Sequence, residues 1–187
     1  MRSPSRLPAS AAAVVVLLIA AACRTAAPVA GMPHNFGVVE DGKIYRGGQP
    51  SASDLDALKR LGVRTIVKVS SQDVEMERAT TSRLGMNLIE VPLHARTVGT
   101  SKACADISRA YTAITDPSNW PVYVHCDHGR DRTGFLAGLY RERAEGWKFE
   151  QVSDELTKYG HGTAMRIVLP NISNALADGD RVCATAR

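Results

Sequence analysis

With 187 residues the chain has room for one ordinary domain and too little for two. Its 44% hydrophobic and 22% charged content is ordinary for a globular protein and points to no special class. The formal charge of +4 includes Arg2 and Arg6, which lie in a segment expected to be removed; without them 21 basic residues face 19 acidic ones. That balance makes no case for a nucleic-acid partner, so anion recognition must come from local clustering of charge.

Arg2 and Arg6 stand ahead of Ala9–Ala22, a run of 14 small and apolar residues. A spanning helix needs roughly 20, so residues 1–22 read as an export signal rather than a membrane span. The run ends Ile19-Ala20-Ala21-Ala22-Cys23. Small residues before a cysteine resemble the bacterial lipobox, in which that cysteine is lipidated and becomes the new N-terminus. A plain secretory signal cut after Ala-x-Ala, with Cys23 incidental, is the alternative. The expectation is an exported protein, periplasmic or held at the outer membrane by an N-terminal lipid. Residues 23–33, rich in Ala and Pro, then form a tether, and residues 34–187 a single domain.

Within the domain Lys43–Arg46 is a short strand candidate ending at Gly47-Gly48. Ser53–Leu61 has a helical pattern with Ser53 as cap and Gly62 as stop. Thr65–Val69 reads as a buried strand, Val74–Leu84 as a helix stopped by Gly85, and Asn87–Val91 as the next strand. A helix over about Ser101–Thr115 precedes the strand Val122–His125. Helices follow over Thr133–Glu145, Phe149–Tyr159 and Thr163–Ala177, with Pro170 breaking or restarting the last. Strands alternating with helices predict an α/β fold with a central, largely parallel sheet flanked by helices.

The chemistry is concentrated in Val122-Tyr-Val-His-Cys-Asp-His-Gly-Arg-Asp-Arg-Thr-Gly134, an apolar strand, a tight polar loop and a helix opening at about Arg132. A cysteine at the end of a strand and ahead of a helix N-terminus lies where unpaired backbone N–H groups bind anions and favour thiolates. Loop amides of residues 127–132 (Asp127, His128, Gly129, Arg130, Asp131, Arg132) can curl into a nest for a tetrahedral dianion. Gly129 lets the backbone turn where a side chain would clash. Arg132, six residues after Cys126, can hold two phosphate oxygens as a fork. Thr133 can bond the sulfur, and His125 is expected to be structural.

This loop resembles the protein-tyrosine-phosphatase superfamily signature His-Cys-x-x-Gly-x-x-Arg-Ser/Thr, filled by His125, Cys126, Gly129, Arg132 and Thr133. Asn35-Phe36-Gly37, Lys43–Pro50 and Leu58–Val69 also look like the opening of atypical dual-specificity phosphatases, some of which act on inositol polyphosphates or pyrophosphates. The resemblance covers about residues 34–160. It implies the dual-specificity phosphatase-like fold. It also implies a thiophosphoryl intermediate on Cys126 that water hydrolyses, with no cofactor and no metal. Relatives draw a general acid from a loop after the preceding strand, yet residues 90–100 here contain no aspartate. Asp131 is the expected replacement, as in myotubularin-type phosphatases, which also carry an aspartate before the loop arginine; His94 is second and Asp106 third. Asp127 is expected to face away or to form a salt bridge.

The substrate is expected to be a phosphorylated small molecule or protein. A ring of cations from His128, Arg130, Arg46, Lys68, His94 and Arg96 suits an inositol polyphosphate, in a phytase-like activity; internal salt bridges are the other reading of Arg46 and Lys68. A protein tyrosine or dual-specificity phosphatase is the alternative substrate class, and a phosphate-binding module the non-enzymatic one. Cys104 and Cys183 are either a disulfide, suited to an oxidising compartment, or two unrelated thiols.

Overall fold

A computed structural model of the protein describes residues 29–179 and Cys183. The signal segment and Cys23 therefore lie outside the described residues.

Five strands form one sheet in the order β1-β2-β5-β3-β4. They are β1 (Gly37–Glu40), β2 (Ile44–Gly47), β3 (Thr65–Lys68), β4 (Asn87–Glu90) and β5 (Val122–His125). Four of them run parallel, and β1 pairs antiparallel with β2 as an edge hairpin. The sheet is thus largely parallel, as the alternating pattern predicts. Strand β1 has no counterpart among the predicted elements. It is four residues long and opens on Gly37, too short to show a period.

The connections cover both faces, changing sides once. Helices α1 (Ala52–Arg60) and α2 (Val74–Leu84) cover one side, with Leu55, Leu58, Val63, Ile66 and Tyr123 buried between them and the sheet. Helices α3 (Cys104–Thr115), α4 (Asp131–Glu145), α5 (Phe149–Lys158) and α7 (Pro170–Ala177) cover the other, over Val67, Val122, Val124, Phe135, Leu136 and Leu176. Both faces of β3 and β5 are buried, so their Thr-Ile-Val and Val-Tyr-Val runs are continuous rather than alternating. Each such Ile or Val contributes roughly 1.5–3 kcal/mol by leaving water.

Two helix ends differ from expectation. The α1 cap is Ser51, which exchanges hydrogen bonds with Asp54 in a capping box, and not Ser53. Both serines stand near the helix start, and Asp54 at the third helical position selects the earlier one. Helix α4 opens at Asp131, one residue before Arg132. Pro170 divides the last helical stretch into α6 (Thr163–Val168) and α7, because it cannot donate the hydrogen bond that would continue the helix.

Parallel strands bring their carboxyl ends to one edge. The loops after β2, β3, β4 and β5 therefore converge there, where the connections change faces, from α2 on one side to α3 on the other, the place at which open α/β sheets bind ligands.

Candidate active site

The loop Cys126–Arg130 joins β5 to α4 at that edge. Cys126 is 2% exposed and carries a free thiol. The loop is held from outside through its carbonyls. Gln49 N donates to Asp127 O at 3.0 Å, Asn35 Nδ2 to His128 O at 3.1 Å, and Arg46 Nη2 to Gly129 O at 2.9 Å. In a trans peptide the N–H points opposite to the preceding C=O. Three carbonyls drawn outward therefore turn the N–H groups of His128, Gly129 and Arg130 the other way, into the loop, where they form an anion nest. Gly129 is required twice over. Its φ is +67°, and a Cβ there would lie 2.3 Å from the carbonyl carbon of Gly47.

Behind the loop lies a buried polar cluster. His125 Nε2 meets Glu77 Oε1 at 2.7 Å, Lys68 Nζ donates to Glu77 Oε2 at 2.6 Å, and Gln49 bridges Lys68 and Glu77 at 2.8 Å on each side. His125, Lys68 and Glu77 are fully buried. Burial pushes the Glu77 carboxyl up, but the hydrogen bonds and charge of His125, with the bonds from Lys68 and Gln49, outweigh it and hold it at about 2, against an ordinary 4.5. A depressed carboxylate stabilises the fold fully above its unfolded value, and that contribution is lost as pH falls through the folded one. It is worth about 3 kcal/mol for such a shift. Glu77→Gln would leave Lys68 buried without a counter-charge and His125 without its carboxylate partner, a loss of about 3–5 kcal/mol, or roughly 10 °C in Tm. Thermal unfolding at pH 7 checks this. Wild type should lose stability between pH 4.5 and 2, and the variant should show a shallower decline there; an unchanged Tm would refute the assignment.

The network corrects the expectation for Lys68, which meets Glu77 and Gln49 in the interior and cannot touch substrate. Arg46 is corrected likewise. It is fully buried, pairs with Glu155 Oε1 at 3.1 Å, lies 3.8 Å over the Tyr159 ring and supports the Gly129 carbonyl. Their partners stand on α2, nine positions after Lys68, and on α5, 109 positions after Arg46. Buried cations need such partners.

The two loop arginines each meet a loop carboxylate. Arg132 Nη2 bonds Asp127 Oδ2, and its Nη1 donates to Leu93 O at 3.2 Å. Asp127 thus forms the salt bridge foreseen for it, and its partner is the clamp arginine itself. Arg130 Nε donates to Asp131 at 3.1–3.2 Å. Asp131 Oδ1 also meets His161 Nδ1 at 2.8 Å, and His161 Nε2 lies 3.3 Å from Ser173 Oγ on α7. Burial pushes the Asp131 carboxyl up, yet His161 and Arg130 together hold it below its ordinary value. A carboxylate kept ionised by two partners is poorly placed to deliver a proton, so the geometry speaks against Asp131 as general acid. His161 is a site residue that sequence reasoning missed; a histidine 30 residues beyond the loop carries no local signal.

Of the remaining candidates, His94, Arg96 and His128 are exposed. His94 and Arg96 lie in the 92–100 loop, which abuts Arg132 through Leu93. Asp106 is half-buried and paired with Arg109 at 3.0 Å, on α3. Thr133 is buried and its hydroxyl is directed to Gly47 O at 3.5 Å rather than to the sulfur. Cys104 and Cys183 are joined, with Cα atoms 5.2 Å apart. The bond ties the start of α3 to the chain beyond α7. Asn171 on α7 adds bonds to Ala95 O (2.9 Å) and Val98 O (2.6 Å), fastening the 92–100 loop beside the cysteine.

The profile of the tyrosine phosphatase family matches residues 31–173. The dual specificity protein phosphatase TpbA of Pseudomonas aeruginosa is 29% identical over 141 residues, 74% of this chain and 62% of that protein. The inositol diphosphatase DSP3 of Arabidopsis thaliana is 30% identical over 128 residues, 67% of this chain and 62% of that protein. The chain thus spans 62% of the length of both relatives. Among solved structures, P. aeruginosa TpbA is similar with a TM-score of 0.61 and 27% identity, over 79% of this chain and 88% of that one. The core catalytic domain of the S. cerevisiae PP-IP phosphatase SIW14 has the same fold, with a TM-score of 0.66 at 22% identity over 83% and 92%.

Proposed function

We propose that this chain, which belongs to the tyrosine phosphatase family, is a cysteine-dependent phosphatase that cleaves phosphates whose leaving oxygen departs without a proton. The observation that carries the first half is the Cys126 loop, an anion nest with a thiol at its base and Arg132 at its rim. The Cys126 thiolate attacks phosphorus, the S–P bond forms and the P–O bond breaks. Loop amides and Arg132 stabilise the charge on the transferring oxygens. Water then hydrolyses the thiophosphate and returns the thiolate.

The second half rests on an inventory of the carboxylates. Residues 90–100 lack aspartate. Asp127 is engaged by Arg132, and Asp131 by Arg130 and His161. A phosphate leaving from a diphosphate depends on such an acid least, a phenol of pKa about 10 more, and an alkoxide most. Among polyphosphorylated small molecules this favours a diphosphate group on an inositol polyphosphate over the monoesters of phytate. Arg96 and Arg130 supply cations, and His94 and His128 polar contacts, for the remaining phosphates. Likeness to an inositol diphosphatase supports this reading, and likeness to a dual specificity phosphatase supports phosphotyrosyl protein as the second one. A turnover panel of a diphosphoinositol polyphosphate, phytate, a phosphotyrosyl peptide and a phosphoseryl peptide tests it. The expected order places the diphosphate first and the phosphoseryl peptide last; phytate or phosphoserine in first place would overturn it.

The site is proposed to work outside the cytoplasm, on the strength of the leader and of the Cys104–Cys183 bond, which persists in oxidising compartments. Cys23→Ala should move the protein from the membrane fraction to the soluble one. A wild type already soluble after signal cleavage would remove the lipid anchor and leave export standing.

A further inference from the structure

A guanidinium has two edges that can grip an oxyanion at two points. The end-on edge uses Nη1 and Nη2, and the side-on edge uses Nε and Nη2. In Arg132 the end-on nitrogens are both engaged, Nη1 by the Leu93 carbonyl and Nη2 by the Asp127 carboxylate. Nε is buried and has no partner. Asp127 touches the arginine through Oδ2 alone, and its Oδ1 is buried and unpartnered. The contact is therefore one-pointed and leaves Nε of the side-on edge unbonded. Leaving a buried N–H unsatisfied is costly. At the rim of an anion nest such a donor is explained by a ligand that supplies the missing acceptor.

We propose that Asp127 is a positioning residue for phosphate recognition. With the Leu93 carbonyl it holds Arg132 by its end-on edge, so that Nε and the second hydrogen of Nη2 face the substrate phosphate. This explains how a carboxylate can stand next to the nucleophile without repelling the substrate: its charge is spent on the clamp. It also gives Asp127 and Asp131 parallel tasks, since Asp131 holds Arg130 in the same loop. The opposite role for Asp127 is that of a competitor occupying the place of the phosphate, and the two roles predict opposite signs.

The inference rests on the phosphatase reading, but its test needs no turnover. Inorganic phosphate and vanadate are titrated into wild type, Asp127→Asn and Asp127→Glu, by calorimetry and by protection of Cys126 from alkylation. Thermal midpoints are measured without ligand, and Asp127→Ser stands in should the asparagine variant fail to fold. Loss of a charge-assisted hydrogen bond to the clamp should weaken phosphate about tenfold in Asp127→Asn. The midpoint should move by only a few degrees, and Asp127→Glu should recover part of the affinity. Tighter binding in Asp127→Asn would establish the competitor role and overturn the proposal, as would unchanged binding by a folded variant. If wild type hydrolyses nothing in the substrate panel, the phosphatase reading fails while the order of phosphate affinities still decides the role of Asp127.

Discussion

Cys126→Ser is expected to abolish turnover, a loss on the order of 10⁴-fold or more, as for other enzymes stripped of their nucleophile. A serine hydroxyl in the same place is a far weaker nucleophile than a thiolate and has no adjacent base to activate it. His125, the neighbouring imidazole, is fully buried with Nε2 on Glu77 and Nδ1 3.3 Å from the Cys126 carbonyl. Phosphate binding should survive the substitution. The amides of His128, Gly129 and Arg130 are aimed by Gln49, Asn35 and Arg46, which bond the loop carbonyls and do not depend on the sulfur for those bonds. The check is a pair of measurements on one preparation, turnover of nitrophenyl phosphate and affinity for vanadate. Chelators should leave wild-type activity intact; loss on EDTA treatment, restored by a divalent cation, would refute the metal-free displacement. A serine variant retaining even one per cent of activity would remove Cys126 from the nucleophile's role.

What could be read from the sequence was local. The strand, the cysteine loop and the helix after it are continuous in the chain, and their roles follow from residue type and order: an apolar run, a mid-loop glycine, an arginine six residues from the thiol. Helices α2, α4, α5 and α6 are similarly legible, because Gly85, Gly146, Gly160 and Pro170 stop them. What could not be read was pairing across the chain. Arg46 and Lys68 sit at strand ends beside the loop, where a cation looks like a substrate contact. Each is neutralised from a helix, by Glu155 109 positions away and by Glu77 nine positions on. Asp131 looked like an acid because it precedes the arginine, and its commitment to His161, 30 positions away, appears only when α7 and the segment before α6 fold over α4. Local spacing locates the nucleophile and the nest; it does not say which nearby charges are already spent.

That distinction decides the last prediction. General acid catalysis of phosphate ester cleavage contributes roughly 10²–10⁴-fold, all of it on leaving groups too basic to depart as anions. If neither loop carboxylate donates a proton, wild type should cleave a diphosphate or an aryl phosphate roughly 10²–10⁴-fold faster than an alkyl phosphate such as phytate. Asp131→Asn should then slow both classes alike and by less, since the loss is in the placement of Arg130 and His161. The pH profile gives the same reading independently. A proton donor ionising within the working range produces a fall on the basic side. A carboxyl held below its ordinary value by Arg130 and His161 is already ionised there, so the basic limb should be indifferent to the substitution. A loss confined to the alkyl substrate, with the basic limb flattened, would restore Asp131 as the acid and with it the case for phytate. If the basic limb survives in Asp131→Asn, the same comparison on His94→Asn identifies its source, because His94 is the exposed titratable side chain of the 92–100 loop, which Leu93 brings against Arg132.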